Sequence, residues 1–292
     1  MSTTPTPTER FGQLPGLPQL PACLEFLKLK QFPLKVFPPV DKPATLTKDT
    51  LYIYGPGWRN SWASFDVDCL QMQMYLKFCD VDFDIVNSNE PHASPSGKLP
   101  FLVTVPGAVY ESAKIHQWLK DTQKEKTLPS ATGEQAKAFI ALANSKLYAA
   151  LLFSQWLEPL NYSEITSKAY YSQVPSPINW VLAYRKKTDV VQRLLTDRDI
   201  LVREEIYQDA ANALEALSVK LGDDTYFFGE SEPTWMDAVI FSYLHVIMGA
   251  PQFTDGTFSD ENKRQAGTLR GLVRKHENLV QYAKAIYEKY LK

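Results

Sequence analysis

Cysteine is scarce in this chain, whose 292 residues include only Cys23, Cys69 and Cys79. An odd, widely spaced set without a Cys-x-x-Cys pair does not build a disulfide framework. No histidine stands beside these cysteines in the spacing of a metal site. We therefore expect a reducing compartment, core cysteines and no structural zinc.

An excess of either charge is also missing. The 31 basic and 33 acidic side chains nearly cancel and leave a net charge of −2. A nucleic-acid partner requires a surplus of basic side chains that can replace the counterions of its phosphates. Nucleic acid is therefore not expected as a ligand.

Long apolar runs are absent as well. A membrane-spanning helix needs about 20 mostly apolar residues, whereas the best candidate, residues 238–250, is shorter and contains Ser242 and His245. The N-terminal residues do not show the apolar core of a secretory signal. The sequence thus predicts no spanning segment and, at most, peripheral attachment to a membrane.

The combinations of residues that carry common chemistries are not evident. The four histidines are scattered, and none accompanies a nucleophile in a recognisable motif. The turn Gly55-Pro56-Gly57 lacks the later glycines and the Lys-Ser/Thr pair of a phosphate-binding loop. We expect no cofactor and no metal.

Proline is abundant in residues 1–49, which we interpret as an extended arm because proline removes backbone donors and disfavours helix before it. One stretch of the arm is too apolar for an idle linker. Its large apolar side chains are Phe32, Leu34, Val36 and Phe37. Two interpretations stay open: the arm packs along its own globular body, or it docks on a partner.

Residues 50–121 read as a thioredoxin-like domain. A β-rich segment at 51–54, an amphipathic helix at 66–79 and three further strand-like segments at 83–86, 99–105 and 108–110 precede a helix at 111–120. Such a domain commonly carries a cis proline before its third strand, and Pro100 occupies that place.

Residues 133–292 are predicted to form an all-helical domain. Apolar residues recur at helical spacing in 135–157, in a long region at 189–221 and in a last helix at 276–292. The clearest local signal is Thr234 followed three residues later by Asp237, which is the arrangement of a capping box.

Three features in this order, Pro100, the pair Glu111-Ser112 and the Thr234/Asp237 box, resemble the glutathione-transferase-like fold. The resemblance implies that Pro100, Glu111 and Ser112 mark a vestigial glutathione site. For Glu111 and Ser112 the alternative is a purely local role in capping and charging their helix. Catalysis would require a donor after the first strand, where Ser61 and Ser64 are crowded by aromatic residues. We interpret that loop as structural or partner-facing rather than catalytic.

Several segments resemble the metaxin family more than any glutathione transferase. They are LYIYGPGW at 51–58, SNEPHASPSGKLP at 88–100, WLEPLNY at 156–162, PSPINW at 175–180, RKK at 185–187 and FFGE at 227–230. Metaxin-like proteins work at the cytosolic face of the mitochondrial outer membrane in the sorting and assembly machinery. The sequence ends without a hydrophobic anchor, so the chain is similar to the smaller, peripheral, metaxin-2-like subunit.

The resemblance implies a non-enzymatic subunit whose partners are an Omp85-type β-barrel subunit, a second metaxin-like subunit and β-barrel precursor proteins. The candidate partner-binding residues lie in the arm, in the loop after the first strand and in the basic triplet. They are Phe32, Leu34, Val36, Phe37, Trp58, Arg59, Trp62, Arg185, Lys186 and Lys187. The alternative function is a glutathione-dependent transferase or thiol enzyme of the cytosol.

Overall fold

The computed structural model describes residues 46–254 and 256–292, without the side chains of Ser130 and Ala131. Most of the proline-rich arm therefore lies outside the described residues. So do Cys23 and the four candidate docking residues Phe32, Leu34, Val36 and Phe37. Their proposed roles stay predictions.

A four-stranded mixed sheet forms the first half of the described chain. Its strands are β1 (Asp49–Ile53), β2 (Phe83–Asn87), β3 (Phe101–Val103) and β4 (Val109–Glu111). The spatial order is β2-β1-β3-β4, with β1 parallel to β2 and antiparallel to β3. Register places Tyr52 opposite Phe101, and the two rings stack at 4.5 Å. β1 begins at Asp49, so the last residue that we assigned to the arm belongs to the sheet.

Two helices complete this half, α1 (Val67–Phe78) and α2 (Ser112–Asp121). Asp66 caps α1, because its carboxylate accepts a hydrogen bond from the backbone N–H of Cys69 at 3.0 Å. The peptide bond before Pro100 is cis, as predicted, and those before Pro56 and Pro177 are also cis.

Every described element after α2 is helical. A continuous helical stretch runs through α3 (Ser130–Leu142) and α4 (Tyr148–Leu152), with one π-helical turn between them and another after α4. Shorter helices α5 (Pro159–Asn161) and α6 (Ser167–Tyr171) follow. The remaining helices are α7 (Ile178–Leu195), α8 (Arg203–Leu221), α9 (Trp235–Gly249), α10 (Asp260–Ala266), α11 (Thr268–Arg274) and α12 (Glu277–Tyr290).

The region expected as one long helix at 189–221 is two helices. α7 begins eleven residues earlier than predicted, at Ile178, and ends at Leu195, while α8 begins at Arg203. The basic triplet at 185–187 therefore lies inside a helix and not in a turn. Periodicity alone missed the break because the seven intervening residues contain neither glycine nor proline.

One described helix, Thr132–Leu157, is long and apolar enough to cross a membrane, judged by its length and composition alone. The prediction that no segment reaches that length is therefore wrong for this helix. Its residues Leu147, Ala150 and Trp156 are buried in the protein core, which is the environment of a central helix in a helical domain.

Asp237 at the start of α9 confirms the predicted capping box. Its carboxylate accepts hydrogen bonds from the backbone N–H and the hydroxyl of Thr234 at 2.8 and 3.0 Å. The same carboxylate accepts from the N–H of Phe227 at 3.0 Å and from the hydroxyl of Tyr282 at 2.9 Å. A fully buried aspartate thus joins α9, α12 and the segment before α9.

The sheet half and the helical half belong to one compact unit. α1 packs against α9, and Tyr75 meets Trp235 edge to face with the ring centroids 5.0 Å apart. α9 is apolar on almost all sides, because it is covered by both halves. The expected glutathione-transferase-like fold, a thioredoxin-like half followed by a helical half, is confirmed by this topology.

Candidate functional site

A cleft of about 520 Å³ opens between the two halves. On the sheet side it is lined by Tyr54, which directly follows β1, and by Asp66 and Asp68 at the start of α1. Residues of the loop before cis-Pro100 lie at one end. The helical half contributes Tyr148, Trp156, Tyr170, Tyr171, Lys186 and Arg193. The cleft is the place in this fold where a thiol substrate would meet both halves.

Tyr54 carries the first side-chain hydroxyl after β1. We did not name it as a candidate site residue from the sequence. Burial, reinforced by the Asp66 carboxylate, raises the pKa of Tyr54 far above that of a free tyrosine. A phenol with a raised pKa is a weaker proton donor. The signal was present in the sequence, because Tyr54 is the last residue of the predicted first strand.

Two carboxylates lie on the sheet side of the cleft, while Lys186 and Arg193 line its helical side. Asp66 already occupies the N-terminus of α1, where free N–H groups would otherwise attract a negative ligand. Burial and the neighbouring Asp66 raise the pKa of Asp68 to about 6, which shows that a second negative charge is disfavoured here. A thiolate placed beside these two carboxylates would meet the same cost.

Ser61 and Ser64 serve the fold of the loop instead of a substrate. The buried Ser64 hydroxyl donates to the carbonyl oxygen of Tyr54 at 2.5 Å and accepts from the backbone N–H of Asp66 at 3.1 Å. The Ser61 hydroxyl donates to the carbonyl of Ala63 at 3.4 Å. Both groups are thus committed to local hydrogen bonds.

The vestigial glutathione-site positions are separated from the cleft lining. Pro100 is buried at the start of β3, and Ser112 opens α2 with Glu111 before it. The Glu111 carboxylate lies 3.9 Å from the ammonium of Lys114 and makes no capping hydrogen bond. Among the described residues that line the cleft, neither Glu111 nor Ser112 is present.

The loop that contains Trp58, Arg59 and Trp62 folds tightly onto α1. A Cβ atom at Gly57 would lie 1.7 Å from the carbonyl oxygen of Ala63, so only glycine fits there. The buried Gln73 of α1 donates to the carbonyl of Trp62 at 2.6 Å and accepts from the backbone N–H of Ser64 at 3.0 Å.

The two tryptophans of this loop, which we interpreted as structural or partner-facing, are half-buried. Trp58 packs on Phe65 at 5.4 Å, and the ammonium of Lys77 lies 4.9 Å from the Trp62 ring. Arg59 remains exposed on a left-handed backbone conformation with φ of 59°. The loop therefore presents one exposed charged side chain, that of Arg59, and two aromatic rings that are only partly exposed.

A second groove, of about 380 Å³, runs between this loop and the last helix. Trp58 and Arg59 line one side, and His245 of α9 and Tyr287 of α12 line the other. Burial lowers the pKa of His245 to about 4, so the ring is neutral at physiological pH. The indole N–H of Trp58 is buried and has no hydrogen-bond partner among the described residues.

The three residues of the basic triplet differ in their exposure to solvent. Arg185 and Lys186 are exposed on α7, whereas Lys187 is half-buried with its ammonium 4.5 Å from the ring of Tyr162. On the same helix Trp180 and Tyr184 are each 70% exposed. These two aromatic residues were not among our candidates, although their spacing of four places them on one helix face.

The cysteines agree with the prediction of core positions. Cys69 and Cys79 are both buried and not paired in a disulfide. Burial raises the pKa of both thiols, which makes them poor nucleophiles.

Comparison with known proteins places these features in a family context. Residues 69–187 match the Tom37 family model, described as an outer mitochondrial membrane transport complex protein, and residues 210–286 match a glutathione S-transferase C-terminal domain. Metaxin-1 of Macaca fascicularis is 30% identical over 247 residues, which cover 80% of this chain and 73% of that protein. Metaxin-2 of Homo sapiens is 31% identical over 208 residues, covering 68% and 77% of the two chains.

Among solved structures, the glutathione transferase GSTFuA3 from Phanerochaete chrysosporium aligns with a TM-score of 0.48 and 15% identity. The alignment covers 80% of this chain and 98% of that enzyme. The two metaxins named above, metaxin-1 and metaxin-2, are similar to this chain at nearly equal identity.

Proposed function

The chain belongs to the metaxin family of outer mitochondrial membrane transport complex proteins, and we propose that it is a non-enzymatic subunit of the sorting and assembly machinery. In this proposal it docks on an Omp85-type β-barrel subunit and on a second metaxin-like subunit at the cytosolic face. There it helps to recognise and insert β-barrel precursor proteins. Its attachment to the membrane is peripheral.

The observation that carries the proposal is the relationship to metaxins over most of the chain. The cleft adds physical support for a role without catalysis. The cleft is lined by Asp66 and Asp68 but also by basic side chains such as Lys186 and Arg193. The hydroxyl of Tyr54 is a weak proton donor because its pKa is raised, so it is poorly suited to stabilise a thiolate.

Partner contacts are proposed at the exposed charges and at the arm. Arg59 protrudes beside the groove that Trp58 lines, and Arg185 and Lys186 lie open on α7. Lys187 is the weaker candidate, because its ammonium is already held by Tyr162. An incoming precursor strand needs either a free sheet edge or an apolar groove for its alternating side chains.

The experiment that tests the proposal is depletion of this protein from cells, followed by import of radiolabelled β-barrel precursors into isolated mitochondria. Assembly of the barrels should slow, while import of matrix proteins should stay normal. In parallel, the tagged protein should recover an Omp85-type barrel from solubilised mitochondria. Normal barrel assembly after full depletion would show that the proposal is wrong.

A variant without residues 1–40 addresses the arm. Recovery of the barrel subunit should fall, while the circular dichroism spectrum of the shortened protein should keep its helical signal. Equal recovery with and without residues 1–40 would assign docking to the described part of the chain instead.

Peripheral attachment is tested by alkaline extraction of mitochondrial membranes. The protein should be released, because residues of the longest apolar helix such as Leu147, Ala150 and Trp156 are buried in the core. Retention beside the integral barrel would contradict peripheral attachment.

A further inference from the structure

α7 has two apolar faces, of which only one is covered. Ala183, Val190 and Leu194 face the core and are buried. On the other side Trp180, Val181, Tyr184 and Leu195 are 70, 57, 70 and 41% exposed. At 100° per residue, the latter four fall within one third of the helix circumference. We call this set the outer stripe.

The outer stripe is uncovered in the described protein. Neither Trp180 nor Tyr184 stacks on another described aromatic ring, although many other aromatic residues do so. Single exposed apolar side chains are common, but two aromatic rings and a valine within two helical turns form a contiguous patch. The stripe also lies outside the described cavities, on the convex surface of a helix.

Positive charge accompanies the outer stripe. α7 carries four basic side chains, of Arg185, Lys186, Lys187 and Arg193, and one acidic side chain, of Asp189. Its net charge is therefore +3 in a chain whose net charge is −2. Arg185 is exposed next to Val181 and forms no ion pair with the residues that the structure describes, whereas Lys186 and Arg193 line the cleft on another side of the helix.

We propose that the outer stripe binds the surface of an anionic phospholipid bilayer, with Trp180 and Tyr184 in the headgroup region and Arg185 against lipid phosphates. Tryptophan and tyrosine prefer this interfacial zone, because one part of each ring is apolar and another is polar. Basic side chains near an anionic leaflet add attraction that screening confines to short range. The inference rests on the proposed location at the outer membrane and adds how the protein contacts it.

The convex position of the outer stripe favours lipid over a protein partner. Binding hot spots of protein interfaces sit in pockets, whereas the outer stripe lies on a convex helix. A helix of 18 residues with one buried face lies along a membrane surface and does not cross it.

The test measures binding of the purified full chain to phosphatidylcholine vesicles with and without phosphatidylinositol. Binding should require the anionic lipid and weaken with added salt. The pair of substitutions Trp180→Ser and Tyr184→Ser should lower the partition coefficient about tenfold or more, because the insertion of apolar surface is lost. Arg185→Gln should lower it about fivefold.

Matched controls come from the same protein. Val219 is 78% exposed on α8, so Val219→Ser controls for the loss of an exposed apolar side chain, and Lys124→Gln controls for the loss of an exposed charge. Both should bind vesicles like the unsubstituted protein. Since all of these positions are exposed, thermal unfolding should show equal stability across the series.

The outcomes separate this inference from the proposed function. Absence of binding to anionic vesicles, or unchanged binding of the Trp180/Tyr184 variant, would overturn the lipid contact. If that variant binds vesicles normally but loses recovery of other subunits from mitochondria, the outer stripe is a protein interface and the subunit role stands. Vesicle binding that depends on the stripe supports the inference whatever the subunit assay gives.

Discussion

The hydroxyl of Tyr170 donates a hydrogen bond of 2.7 Å to the Asp66 carboxylate. The other oxygen of that carboxylate caps α1 through the N–H of Cys69. Tyr170 belongs to the helical half and Asp66 to the thioredoxin-like half. One carboxylate therefore fixes a helix terminus and joins the two halves at the floor of the cleft.

Replacing Tyr170 by phenylalanine should reduce the free energy of unfolding by about 2 kcal/mol, because a hydrogen bond to a charged group is lost in a buried site. Tyr171→Phe is the matched control, since Tyr171 is half-buried and its hydroxyl makes no hydrogen bond with another described residue. Denaturant unfolding of both variants checks the prediction. Equal stability of the two would show that the 2.7 Å contact contributes little.

Asp237→Ala should be strongly destabilising, by about 3 kcal/mol or more, because it leaves the N–H groups of Thr234 and Phe227 and the hydroxyl of Tyr282 without their acceptor. Asp260→Ala, in the first turn of α10, is the control, since its carboxylate is fully exposed. The thermal midpoints of the two variants should differ clearly. Similar midpoints would contradict the role of Asp237 as a buried hub.

Acid should destabilise the protein partly through His245. The imidazole is stacked 5.5 Å from Tyr287 and half-buried, and burial lowers its pKa from 6.5 to about 4. The unfolded chain therefore binds a proton that the folded chain refuses between these values, so stability falls as pH drops through that window. The full contribution is at most about 3 kcal/mol.

His245→Phe should remove this dependence while keeping an aromatic ring in the groove. The free energy of unfolding of the variant, measured by denaturant at several pH values from 7 to 4, should fall less steeply than that of the unsubstituted protein. Parallel curves would show that His245 is not responsible for the acid sensitivity.

Turnover of glutathione with a general electrophile should not exceed the uncatalysed rate. The reason is that the raised pKa of Tyr54 makes its hydroxyl a weak proton donor to a thiolate in the cleft. Activity that disappears in Tyr54→Phe would revive the transferase alternative. Ser64→Ala is unsuitable as a sole test, because Ser64 holds the loop through two hydrogen bonds and its loss would disturb the fold.

Most of the fold could be predicted from local sequence patterns. The capping box at Thr234 and Asp237, the Asp66 start of α1 and the cis bond before Pro100 were all predicted, and each is present. The two caps depend on residues a few positions apart, so short-range hydrogen bonding is sufficient to specify them, whereas the cis bond was expected from the thioredoxin-like order of elements. The fold class followed from their order along the chain.

The site required tertiary structure. Whether Trp58 and Trp62 face solvent depends on the packing of their loop against α1, which is set by Gln73 several residues away. The charge environment of the cleft combines Asp66 and Asp68 of the sheet half with Lys186 and Arg193 of the helical half, and these two pairs are brought together only when the halves meet. Periodicity shows that α7 has apolar positions on two faces, but not which face the neighbouring helices leave uncovered. The sequence by itself determined the helices and strands. Their packing decided which side chains remain exposed to a partner, because burial is a property of the assembled core.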